Sequence, residues 1–140
     1  ANWIKLELPS DTRNVAFART DVALFASQLD WTLDELEDIK VAVSEAVSNS
    51  IIHGYQLQEG IVHLRASYEE RELTIEVEDF GQGIPDIEQA QEAGYTTIPE
   101  ERMGLGFTFM HEYMDEVLVS SEVNKGTKVV LIKRVPEREG

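Results

Sequence analysis

Alternating apolar and polar residues divide the chain into strand-like and helix-like stretches. Ile4, Leu6 and Leu8 alternate with Lys5 and Glu7, which predicts a strand ended by Pro9. Beyond Ser10, a residue able to cap a helix, Val15, Ala18, Val22, Phe25, Ala26 and Leu29 recur at helical spacing. Phe17 and Leu24 fall off that stripe, on another face of the same helix. Thr32-Leu33-Asp34-Glu35 is a capping box. It predicts a second helix reaching His53, with Gly54 as its stop. The core stripe of that helix is Leu36, Ile39, Val43, Ala46, Val47 and Ile51. Period-two alternation returns over 61–68 and 73–79. Residues 81–104 carry no clear period, and long loops of this kind are functional or disordered. A helix is predicted from Gly104 to about Tyr113. Strands are predicted over 117–122 and 128–135, meeting at Asn124-Lys125-Gly126. Elements amphipathic on one side predict a two-layer α+β sandwich.

Composition narrows the picture. A chain of 140 residues is read as one domain over 1–136 with a polar tail at 137–140. The absence of cysteine removes disulfides and thiolate metal sites. No apolar run approaches the roughly 20 residues of a membrane span, and no signal-peptide pattern opens the sequence. The expectation is therefore a cytoplasmic protein that uses no membrane. A net charge of -15 argues against a general nucleic-acid surface. It favours a basic protein partner, although plain solubility explains the acidity equally well.

The chemistry concentrates in a few places. Glu45, Asn49 and His53 are spaced four apart, so on a helix they form one polar stripe. Glu45 falls nearly opposite the apolar stripe, and Asn49 and His53 flank it. Such a stripe can hold a metal-bound phosphate and a base; a solvated helix face has the same spacing. In the second strand pair, alternation puts Asp79 on the face of Leu73, Ile75 and Val77. A carboxylate aimed at the apolar side needs a partner. Either a ligand amino group or the following turn supplies one. Gly81 and Gly83 follow it, and both permit close backbone approach. Gly104 and Gly106 are expected to open a helix, where free N–H groups favour anions. Gly126-Thr127 comes last, with Thr127 on the face of Val129 and Leu131.

Taken in order, these motifs resemble the Bergerat ATP-binding (GHKL) superfamily of gyrase, MutL, histidine-kinase catalytic domains and bacterial anti-sigma serine kinases. Within it the chain is most similar to the sporulation-type anti-sigma kinases, through Asp34-Glu35-Leu36, the helix from Ile39 to Tyr55, Met114–Val117 and Ser121–Thr127. The resemblance implies a mixed, mostly antiparallel sheet covered by three helices, with ATP between the helix layer and a lid. It implies that Asp79 accepts the adenine amino group, with Gly81, Gly83 and Thr127 close to the base. It implies Mg²⁺ on Asn49, and Glu45 orienting or deprotonating an attacking serine hydroxyl. Phosphate contacts fall to Gly104, Gly106 and Arg102, and Thr97 lies in the lid. Met103 departs from the small residue usual in the family. Arg19 matches a position used for partner binding. The implied partners are a sigma factor of the sigma F type, an anti-anti-sigma (STAS-type) protein as substrate, and a second copy of the chain. A general-stress anti-sigma kinase and a non-catalytic, nucleotide-dependent sigma-binding module remain alternatives. A histidine kinase is disfavoured, because no helical hairpin with a phosphoacceptor histidine is present.

Overall fold

A computed structural model of the chain describes residues 1–91 and 98–138, the side chains of 98–103 excepted. Strand β1 (Asn2–Pro9) leads through a short turn to helix α1 (Asn14–Ala26), followed by α2 (Leu33–Asn49) and a π-helical turn, Ser50–Gly54. Strands β2 (Ile61–Glu69) and β3 (Glu72–Asp79) come next, then a short helix α3 (Ile87–Ala90) and the long α4 (Ile98–Tyr113). Strands β4 (Glu116–Glu122) and β5 (Gly126–Arg134) complete the sheet.

The strand order is β1-β2-β3-β5-β4. Each of these pairings is antiparallel, so the α+β sandwich is as expected but has no parallel pair among the described strands. Period-two alternation is realised along β3: Leu73, Ile75, Val77 and Asp79 are buried, and Thr74, Glu76 and Glu78 are partly open on the other face. Buried residues of α1, α2 and α4, including Val22, Ile39, Val43, Val47 and Phe107, join the inner sheet face in one apolar cluster. Burying a side chain of this size contributes about 1.5–3 kcal/mol.

The two helix starts differ. The capping box of α2 forms as expected: Glu35 N donates to Thr32 Oγ1 at 3.1 Å, and Thr32 N donates to Glu35 Oε1 at 2.8 Å. Ser10, by contrast, does not cap α1. Its hydroxyl donates to the Gln58 carbonyl at 2.5 Å. A turn at Asp11 intervenes, pinned by the Arg13–Asp11 ion pair, and helix geometry begins only at Asn14. Arg138 pairs with Glu35 and donates to the Asp30 carbonyl, and this guanidinium holds the Glu35 carboxyl below its usual range.

Candidate functional site

Helix α2 continues without a break into the π turn, which widens the backbone by one residue. Two buried polar side chains stand at this end of α2. Ser50 continues the buried stripe of Val43, Ala46 and Val47 and is 5 % exposed, and His53, expected to flank that stripe, is 7 % exposed. The last helical carbonyls are then satisfied one by one. Ser50 O accepts from Tyr55 N and Ile51 O from Leu57 N, each at 2.9 Å. His53 O accepts from Gln82 Nε2 at 2.6 Å, and Gly54 O accepts from Gln82 N at 2.9 Å.

Gly54 ends the helix for a different reason from the one expected. Left-handed backbone falls on Gln56 and Leu57 instead. Gly54 is required by packing, because a Cβ there would stand 2.7 Å from the Asp79 carboxylate.

Asp79 is 3 % exposed at the end of β3, on the inner face as expected. Gly81 N donates to its Oδ1 at 3.0 Å, and the Ser50 hydroxyl and the Thr127 amide also donate to this carboxylate. Burial raises the Asp79 pKa above its usual value, and those three donors oppose the rise. Thr127, paired opposite Asp79 in the β3–β5 ladder, is buried as well. Its Oγ1 shares a 2.8 Å hydrogen bond with Ser121 Oγ, which accepts from Ile84 N at 2.7 Å. Gly83, at φ +76°, occupies left-handed space that favours glycine, and Gly81 passes directly over the Gly54 carbonyl. Ala46, Asn49, Ser50, Asp79, Thr127 and Phe107 line one small cavity at this spot.

Helix α4 overturns one expectation. It begins at Ile98, so Gly104 and Gly106 lie inside the helix and do not open it. No helix N-terminus faces an anion at these glycines. The segment Pro99-Glu100-Glu101 suits a first helical turn, and the helix extends through the glycines despite their poor propensity. Gly106 has a different structural use. A Cβ there would lie 2.9 Å from Glu45 Oε2 and 3.5 Å from both polar atoms of the Asn49 side chain. Glu45 and Asn49 thus meet under α4, and both are half-buried, so the stripe is roofed by a helix and not laid open.

Asn49 Nδ2 is buried without a hydrogen-bond partner. Turning the amide over would put its oxygen there, so either a donor or an acceptor can be presented to a ligand. Among the described residues no group of three or more His, Cys, Asp or Glu could hold a metal. An amide oxygen at Asn49 is a hard donor, of the kind that fits a cation such as Mg²⁺ arriving on phosphates.

Thr97 lies outside the described residues, as do the side chains of Arg102 and Met103. Arg19 is exposed on α1, with Nη1 3.5 Å from Ser44 Oγ on α2. Spacing missed Ser50, Ser121, Gln82 and Tyr55 as parts of the site. Tyr55 ties the start of β2 to the residue after β3: its hydroxyl donates to Ile61 O at 2.6 Å and accepts from Phe80 N at 2.8 Å. No described helix is long and apolar enough to cross a membrane.

Comparison with known proteins gives the family. The family model described as Histidine kinase-like ATPase domain matches residues 8–133. An Anti-sigma F factor of Clostridium kluyveri is 55 % identical over 133 residues, covering 94 % of each chain. The Anti-sigma F factor of Geobacillus stearothermophilus is 50 % identical over 140 residues, covering 99 % of this chain and 96 % of its own. A solved structure of the RsbU and RsbW domains of a Mycobacterium tuberculosis protein superimposes with a TM-score of 0.67 at 17 % identity, over 96 % of this chain and 32 % of that one. That likeness shows the fold alone.

Proposed function

The chain belongs to the Histidine kinase-like ATPase domain family, and from that premise we propose that it is an anti-sigma factor. In this reading it binds a sigma factor of the sigma F type and is also a protein serine kinase. Its substrate is an anti-anti-sigma protein of the STAS type. Support for the first half is near-full-length similarity to relatives named Anti-sigma F factor. One observation carries the second half: Glu45 and Asn49 converge on Gly106, and Asn49 lines the same cavity as Asp79. The cavity holds a buried acceptor, and Asn49 at its edge adjoins Glu45 beneath Gly106, which suits a base beside a metal ligand.

Bound Mg·ATP would supply the phosphoryl group and the neutralisation of its charge. The chain's own residues do the rest. Asp79 would accept from the base amino group, and Thr127 with the backbone at Gly81 and Gly83 would hold the base. Asn49 contributes an oxygen to Mg²⁺. Glu45 orients the serine hydroxyl and takes its proton. Arg102, Gly104 and Gly106 are assigned to the phosphates, and Thr97 to a lid. Because Gly104 and Gly106 are helical here, phosphate contact at these positions requires the first turns of α4 to rearrange.

The partner surfaces lie elsewhere. Arg19 on α1 is assigned to the sigma factor, whose basic regions suit a chain of charge -15. Phe17 and Leu24 are 51 % and 70 % exposed on α1, and β1 is an edge strand, which together suit a homodimer. A sigma factor partner places the protein in the cytoplasm. The test is single-turnover transfer from labelled ATP to a purified anti-anti-sigma protein. Transfer to one serine supports the kinase; nucleotide-dependent sigma binding with no transfer leaves only the binding module.

A further inference from the structure

Helical spacing brings a hydroxyl to the base end of the cavity: Ser50 follows Val43, Ala46 and Val47 by seven, four and three residues, on the buried face of α2. Ser50 is 5 % exposed and lines the same cavity as Asp79, Asn49 and Thr127. It donates to the Asp79 carboxylate. An ionised carboxylate only accepts, so the proton of this bond belongs to Ser50. The Gly81 amide donates to the same group at 3.0 Å.

A buried carboxyl has two chemical faces. Ionised, it accepts from an amino group; protonated, it donates to a carbonyl oxygen. Burial at 3 % exposure favours the neutral form, and each donor aimed at the group favours the ionised one. The Gly81 and Thr127 donors are backbone amides fixed by the fold. Ser50 is the donor a single side chain controls. It faces the interior because it continues the buried stripe of α2, and Gly54 nearby has no Cβ to crowd the carboxylate.

We propose that Ser50 is a specificity-determining residue of the nucleotide site, holding Asp79 as an acceptor so that the site takes a 6-amino purine and refuses a 6-oxo purine. This rests on the adenine-nucleotide reading of the cavity. Ser50 is a positioning residue: it acts on the base through Asp79. A site built to accept from an amino group rejects an analogue lacking it, because the buried acceptor is then left facing another acceptor. Without the hydroxyl that refusal weakens.

The test compares ADP with inosine diphosphate, both with Mg²⁺, by calorimetry on the full chain. Wild type is expected to prefer ADP. In Ser50→Ala the ratio of the two affinities is expected to fall by about tenfold or more, the loss of one hydrogen bond to a charged group. Ser50→Thr keeps the hydroxyl and is expected to retain the preference. Thermal midpoints confirm that each variant is folded. A merely structural Ser50 would weaken both nucleotides alike and leave the ratio alone. An unchanged ratio in folded Ser50→Ala therefore overturns the inference while the site reading stands. Wild-type protein that binds neither nucleotide, or both equally, overturns the site reading itself.

Discussion

Gly106 on α4 and Glu45 on α2 are packed so closely that a Cβ on the glycine would stand 2.9 Å from the Glu45 Oε2 atom. The missing side chain is what lets α4 roof the polar stripe without pushing its carboxylate aside. Gly106→Ala separates stability from activity at this contact. Alanine favours the helix by about 0.5–1 kcal/mol over glycine. The intruding methyl forces the Glu45 carboxylate to move, and a displacement of about 1 Å costs about 10²-fold in rate. The expected variant melts no earlier than wild type and transfers phosphate about 10²-fold more slowly. Calorimetric melting and single-turnover transfer, on one preparation, check both halves.

Asp79 sets a pH dependence with a defined sign. Burial raises its folded pKa above 3.8, the ordinary aspartate value, which also describes the unfolded chain. Below that value both states hold the proton and the group has no effect. As pH rises through it, the unfolded chain releases the proton first, so native stability falls until the folded pKa is passed. Asp79→Asn removes this slope. The variant is expected to match wild type near pH 4 and to be at least as stable at pH 7, while losing Mg·ADP affinity. Thermal midpoints across that range test it; a variant clearly less stable than wild type at pH 7 contradicts it.

Asn49 should matter more for the metal complex than for the base. Its Nδ2 is buried without a partner, so truncation leaves little unsatisfied in the protein. In Asn49→Ala, Mg·ATP affinity is expected to drop by at least about tenfold, the scale of a lost metal or charged-group contact. ADP without metal should be affected less. Titration calorimetry with and without Mg²⁺ gives both values, and unchanged Mg·ATP binding would remove Asn49 from the site.

The homodimer is open to a simple test. Phe17 and Leu24 are exposed apolar residues on α1. The double variant Phe17→Asp, Leu24→Asp places charge on that face at little cost to the core, since both side chains lie outside it. It is expected to sediment as a monomer where wild type sediments as a dimer. A dimer in both excludes this face as the interface.

The legible parts of this fold are those governed by one short-range rule. The capping box at Thr32–Glu35 forms as its residue types dictate. The alternation along β3 delivers Asp79 to the inner face, because side-chain direction in a strand follows from the pleat. What escaped reading depends on longer contacts. The π turn over Ser50–Gly54 is not signalled by the helical period, and it seats the His53 carbonyl on the Gln82 amide, a partner remote in the sequence. Ser10 looks like a cap but bonds the Gln58 carbonyl, a partner brought near only by the β1–β2 pairing. The glycines at 104 and 106 signal a helix start locally, yet α4 runs through them and the glycine at 106 serves close packing against Glu45.

The central claim is that one chain both binds a sigma factor and transfers phosphate through Glu45. Glu45→Gln tests it most directly. Glutamine keeps the side-chain volume beneath Gly106 and leaves Asn49 and Asp79 intact, so the fold and nucleotide binding should survive. Loss of a general base typically slows a reaction by about 10²–10⁴-fold. The measurement is single-turnover phosphorylation of the anti-anti-sigma protein and sigma-factor binding, made on one preparation of the variant and one of wild type. The expected result is a folded, ATP-binding protein that holds sigma as wild type does and phosphorylates about 10²–10⁴-fold more slowly. Phosphorylation at the wild-type rate by Glu45→Gln would contradict the claim.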